Sequence, residues 1–104
     1  MGAIPARGDF IDGRWIAGPP TDAIEKHAPG DLDDHVGTFP VSASHVDAAV
    51  LAARKAQPAW EDTPFETRAA LLKRLGEAFA QRASELAETL SREVGKPLWD
   101  AKTE

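Results

Sequence analysis

A chain of 104 residues suffices for one small domain and is too short for two. Its 42% hydrophobic and 28% charged residues describe a folding chain rather than a disordered one, and a net charge of −5 gives no basic footprint for nucleic acid or an anionic membrane. The absence of cysteine excludes a disulfide framework, a thiolate metal site and a cysteine nucleophile within these residues.

The N-terminus, Met1 to Gly8, has no apolar core of the length a secretory signal needs, and Ala6 stands where a myristoylation signal would have Ser or Thr. The longest wholly apolar run, Ala48 to Ala53, falls far short of the roughly 20 residues of a membrane helix. A cytoplasmic location is the expectation. Six of the eight glycines (Gly2, Gly8, Gly13, Gly18, Gly30 and Gly37) lie before residue 44, so residues 1–43 read as strands and turns and residues 44–104 as helical.

Phe10-Ile11-Asp12-Gly13-Arg14-Trp15-Ile16 predicts the first hairpin. Asp-Gly between apolar residues suits a type I′ turn, which needs two residues at positive φ. Gly18-Pro19-Pro20 should stop the strand. A second strand is expected over Ala23 to His27, ended by Pro29, and a third, short or at an edge, over His35 to Val41. Asp31, Asp33 and Asp34 read as an acidic loop between them.

Ser44-His45-Val46-Asp47 opens the helical half, with serine and a carboxylate three residues on able to cap free N–H groups. Val46, Ala49, Val50 and Ala53 share one face, and Pro58 should stop this helix. Thr63-Pro64-Phe65-Glu66 predicts a second start, with threonine as cap, proline first and glutamate third. The apolar stripe of Phe65, Leu72, Leu75 and Phe79 continues in phase through Ala83, Leu86, Ala87, Leu90 and Val94. An unbroken helix from 64 to 94 would be about 46 Å long at 1.5 Å per residue, so a break is expected near Ala80–Arg82. Gly95 ahead of Lys96-Pro97 should end the helix in a left-handed cap, and Leu98 to Glu104 has helix-forming composition.

Few residues suggest chemistry. His27, His35 and His45 show no ligand spacing, and the Asp31–Asp34 cluster lacks the glycine and distal glutamate of a calcium loop. No Gly-x-Gly occurs, hence no dinucleotide or phosphate loop. Ser42, Ser44, Ser84 and Ser91 have no nucleophile-elbow context. Glu85, Glu88 and Glu93 with Arg82, Arg92 and Lys96 read as a solvent-facing helix side. Trp15, Trp60 and Trp99 read first as packing residues and secondly as interface residues. No catalytic, cofactor-binding or metal residue is expected.

The order of the segments carries more than any one of them. Phe10-Ile11-Asp12-Gly13-Arg14-Trp15 is followed by Val36-Gly37-Thr38-Phe39-Pro40, Val46-Asp47-Ala48-Ala49-Val50 and Ala52-Ala53-Arg54-Lys55-Ala56. Pro58-Ala59-Trp60, Thr63-Pro64 with Arg68, and Arg92-Glu93-Val94-Gly95-Lys96-Pro97-Leu98 complete the series. Over residues 8–104 this resembles the N-terminal segment of NAD(P)-dependent aldehyde dehydrogenases. Trp99 to Glu104 is most similar to the branch acting on ω-semialdehydes such as succinylglutamic semialdehyde. Ala28-Pro29-Gly30-Asp31-Leu32-Asp33-Asp34 departs from the family, which commonly has a turn one residue shorter there.

The resemblance implies an α/β fold of short N-terminal hairpin strands followed by three to four helices, an incomplete part of a cofactor-binding domain. In that family a cysteine thiolate attacks the aldehyde, hydride passes to NAD or NADP, and a glutamate activates water to release the carboxylate. None of those residues falls on a position of this chain. The expectation is therefore a scaffold segment, inactive alone, whose partner is the remainder of the dehydrogenase. With its apolar helix faces uncovered, the isolated chain should self-associate. A free-standing interaction domain or gene remnant is the alternative.

Overall fold

The computed structural model describes residues 2–17 and 20–104. The strand stop expected at Gly18-Pro19 lies outside them. Four strands precede four helices: β1 (Asp9–Ile11), β2 (Arg14–Ile16), β3 (Asp22–Ala28), β4 (Asp31–Val41), α1 (Ser44–Asp62), α2 (Phe65–Gln81), α3 (Ala83–Val94) and α4 (Leu98–Ala101). The strands form two two-stranded sheets, β1-β2 and β3-β4. Two compact units result, Met1–Lys26 with His35–Asp62 and His27–Asp34 with Thr63–Glu104.

In the first unit β1 and β2 pair antiparallel with Ile11 opposite Arg14 and Phe10 opposite Trp15. Asp12 and Gly13 take φ of 52° and 76°, the two left-handed residues that a type I′ turn demands. Phe10 and Trp15 meet edge to face at 5.3 Å, a favoured cross-strand aromatic pair. Val36, 1% exposed, is the most buried large side chain, and its carbonyl accepts from the Ile4 amide at 2.7 Å. A Cβ at Gly37 would come within 3.0 Å of the Ile4 carbonyl oxygen, so the approach of that segment requires glycine.

Helix α1 runs through Pro58, where the sequence predicts a stop. Proline removes one N–H and crowds the preceding turn, which kinks a helix without ending it when good helix formers continue beyond. The end comes at Asp62, ahead of Thr63, whose own φ and ψ are restricted by Pro64. At the other end Ser44 lies within the helix, and its hydroxyl meets Ser42 Oγ at 3.4 Å rather than capping with Asp47. The His45 and Val46 amides are satisfied by the carbonyls of Ser42 and Ala43.

The second unit contains the tip of the β3–β4 hairpin and the remaining helices. Its turn is only Pro29-Gly30, so the acidic stretch expected as a loop is strand from Asp31 onward. Aspartate is a poor strand former, yet a strand in a two-stranded sheet keeps one face in water and tolerates it. Asp31 Oδ1 also accepts from the Asp33 amide at 3.1 Å. Helix α2 starts at Phe65 with Pro64 as its cap residue, one position later than the sequence predicts, and the Arg68 amide donates to the Pro64 carbonyl. The expected break falls at Arg82, whose φ of −109° interrupts α2 from α3. Gly95 ends α3 at φ 77°, its amide on the Ser91 carbonyl, and Pro97 leads into α4 as predicted. Ala28, Ala87 and Ala101 are the buried apolar residues of this unit.

Candidate functional site

The first unit places one titratable pair beside a cavity. Asp9 on β1 and His45 in the first turn of α1 are 36 positions apart, and Nδ1 of His45 donates to Asp9 Oδ2 at 2.7 Å. The imidazole is largely buried at 16% exposure, and its carboxylate partner is half exposed. A carboxylate only accepts, so this bond fixes the ring orientation and puts the Nδ1 proton toward Asp9. The adjoining cavity, about 370 Å³, is walled by Phe10, Ile11, Val46 and Ala49 among others.

The second unit is held by a different pair. Arg92 in the last turn of α3 forks onto Asp34 of β4, Nε to Oδ2 at 2.6 Å and one terminal nitrogen to Oδ1 at 2.5 Å. The guanidinium, hydrogen-bonded to both oxygens, holds the Asp34 carboxyl below its ordinary range and raises its own affinity for its proton. Arg92 was expected on the solvent-facing side of the helix. Its side chain is only 10% exposed because the bidentate pair draws it onto the strand. Arg82 and Glu85 do form the exposed i, i+3 pair expected of that face, the hydrogen bond lowering the glutamate. Lys96 bonds Glu104 and lies 3.4 Å from Asp100, contacts that raise its affinity for its proton.

The other histidines sit on the second hairpin. His27 Nδ1 bonds the Leu32 carbonyl at 2.9 Å, and His35 Nε2 bonds Thr38 Oγ1 at 3.1 Å. Glu25 and His27 are two apart on β3 and so share a face of that strand, a spacing the linear reading overlooked. Trp15, Trp60 and Trp99 keep 54%, 43% and 73% of their surface exposed within this chain, and Trp15 packs edge to face on Phe10. No residue of α1 or α2 is fully buried. Among the described residues no nucleophile, base and oxyanion donors converge, and no glycine-rich strand-to-helix turn offers a nucleotide phosphate its backbone N–H groups.

The pattern of the aldehyde dehydrogenase family matches residues 15–104. The chain belongs to that family. It is 46% identical over 95 residues to N-succinylglutamate 5-semialdehyde dehydrogenase of Chromobacterium violaceum, covering 91% of this chain and 19% of that enzyme. It is 42% identical over 97 residues to N-succinylglutamate 5-semialdehyde dehydrogenase 2 of Caulobacter vibrioides, covering 93% and 20%. A crystal structure of NAD-dependent aldehyde dehydrogenase from Sinorhizobium meliloti superimposes with a TM-score of 0.82 at 35% identity, over 89% of this chain and 19% of that one. The chain thus spans about a fifth of the length of the relatives it matches, and the strand-then-helix order of the fold agrees with a fragment of this family.

Proposed function

We propose that these residues are the scaffold segment of an enzyme that oxidises an ω-semialdehyde, N-succinylglutamate 5-semialdehyde or a close analogue, to its carboxylate with NAD or NADP. In the balanced reaction an aldehyde, water and the oxidised nucleotide give a carboxylate, the reduced nucleotide and two protons. The segment itself supplies no catalytic, cofactor-binding or metal residue. Its work is to cover and position the part of the enzyme that does, in the cytoplasm and without nucleic acid or membrane; no helix among the described residues is long and apolar enough to cross one.

The observation that carries this reading is the pairing of family membership over residues 15–104 with two long helices in which no residue is fully buried. Phe65, Leu72, Leu75 and Phe79 recur on one face of α2 and are each at least half exposed. An amphipathic helix of this kind stabilises a fold by laying its stripe on something. The remaining four-fifths of the relatives' length supplies that surface.

The test is complementation. The 104-residue chain would be co-expressed with the Chromobacterium violaceum relative lacking its matching N-terminal segment. Reduced nucleotide formation would then be followed at 340 nm with N-succinylglutamate 5-semialdehyde. Activity in the mixture, and none in either piece alone, is expected. Activity of the chain alone, or a mixture that associates yet stays inactive when the intact relative is active, would refute the scaffold reading.

A further inference from the structure

We propose that the exposed stripe of α2 docks on an apolar surface carrying one Asp or Glu carboxylate, and that Arg68 is the residue that receives it. The inference rests on the scaffold reading, because the occupant it commits to is the part of the dehydrogenase that these residues cover. Phe65, Arg68, Leu72, Leu75 and Phe79 follow one another at steps of three and four, so the arginine stands inside the apolar stripe rather than beside it. All five belong to the second unit.

Nε of Arg68 is shut off from water and has no hydrogen-bond partner, the only side-chain nitrogen or oxygen so placed among the described residues. Arg82 and Arg92, by contrast, fork onto Glu85 and Asp34. Nor does α2 offer a partner one turn away, where Pro64, Phe65, Leu71 and Leu72 stand and none has a side chain that accepts. A guanidinium stays charged in a protein. The four apolar members of the stripe are each at least half exposed, so a surface that covers them takes Arg68 out of water as well. A charge buried in this way is tolerated only with an opposite charge bonded to it. A carbonyl oxygen would satisfy the donor and leave the charge unbalanced. A carboxylate does both, and its two oxygens match the fork of the guanidinium, as Asp34 does on Arg92. One such pair also sets the register of the contact, since a slip of one turn would lay the arginine on hydrocarbon.

The test grafts residues 1–104 in place of the matching segment of the Chromobacterium violaceum relative and compares the chimera with the isolated chain. Arg68→Met keeps an apolar stem and removes the charge. In the chimera it should lower the thermal unfolding midpoint by several degrees, because the carboxylate is left buried and alone. Arg68→Lys should lose less than Arg68→Gln, since lysine keeps the charge. In the isolated chain all three variants should keep the parent's helix content by circular dichroism, there being no internal bond to lose. A chimera unchanged or stabilised by Arg68→Met would mean an arginine with no carboxylate on it and overturn the inference. Arg68→Gln as stable as Arg68→Lys, the mark of a neutral acceptor, would do the same, as would loss of helix in the isolated variants. Failure of the unsubstituted chimera to fold, or to oxidise N-succinylglutamate 5-semialdehyde, would instead sink the scaffold reading and this inference with it.

Discussion

Two glycines of the second unit should respond to the same substitution with opposite sign. Gly95 closes α3 at φ 77°, and a Cβ placed there would lie 3.1 Å from the Pro29 Cβ. Gly76 lies inside α2, and a Cβ there meets nothing within 4 Å. For an L-residue the left-handed conformation costs about 1–2 kcal/mol. The Pro29 ring must also give by a few tenths of an ångström, and reduced unfolded-state entropy offsets about 0.4–1 kcal/mol of the total. Gly95→Ala should therefore destabilise by up to about 1.6 kcal/mol from these two contributions, and by more where the Pro29 ring resists the shift. Gly76→Ala should stabilise by about 0.8–1 kcal/mol, the difference in helix propensity.

The two variants thus stand about 1–2.6 kcal/mol apart, or on the order of 4–20 °C in midpoint for a chain of this size. Thermal unfolding followed by circular dichroism at 222 nm, at micromolar concentration to limit association, resolves that gap easily. A Gly95→Ala variant as stable as the parent would mean that α3 does not end in a left-handed cap. Equal losses at both positions would mean that the interior of α2 is not regular helix.

The Asp34–Arg92 fork predicts acid sensitivity. Because the folded-state carboxyl is lowered, its contribution is present above the unfolded value of 3.8 and is lost as pH falls through the folded one; Asp34→Asn should remove that part of the acid transition measured by unfolding midpoint against pH. The Lys96 contacts act in the opposite sense, present below 10.5 and lost as pH rises through the raised folded value, so Lys96→Met should flatten the alkaline limb of the same curve. Pro58→Ala should stabilise α1 by up to about 3 kcal/mol, read from the unfolding midpoint, since proline inside a helix removes a hydrogen bond and crowds the turn. Analytical ultracentrifugation should find the chain self-associating in a concentration-dependent way, and Leu72→Glu with Leu75→Glu should return it to monomer.

What the linear sequence discloses here is what nearest-neighbour chemistry decides. The Asp12-Gly13 turn, the Gly95 cap and the interruption at Arg82 each follow from one or two residues and were legible. Pro58 and Asp31 to Asp34 misled because a breaker or a charge sets a local preference that the surrounding element overrides. The pairs Asp9–His45 and Asp34–Arg92, separated by 36 and 58 positions, carry no spacing signal at all. They are visible only once strand and helix are set side by side. The family itself was legible because segment order survives where single motifs are weak.

The face of α2 sets the terms on which this chain can be stable. Fully burying a large apolar side chain is worth about 1.5–3 kcal/mol. Phe65, Leu72, Leu75 and Phe79 keep between 53% and 70% of their surface in water. Covering what remains would add about 4–7 kcal/mol, comparable with the whole stability of a small domain, about 5–15 kcal/mol. On the proposed reading, what covers this face contributes more to stability than the chain's own core, which holds mainly alanines, one isoleucine and one valine. It follows that substitutions on this face should damage complementation far more than they damage the fold of the isolated chain. Leu75→Glu is the decisive case: association with the rest of a dehydrogenase should fall, while the helix content of the separate chain stays. Loss of helix content at least as large as the loss of association would place the stripe in the chain's own core and refute the argument.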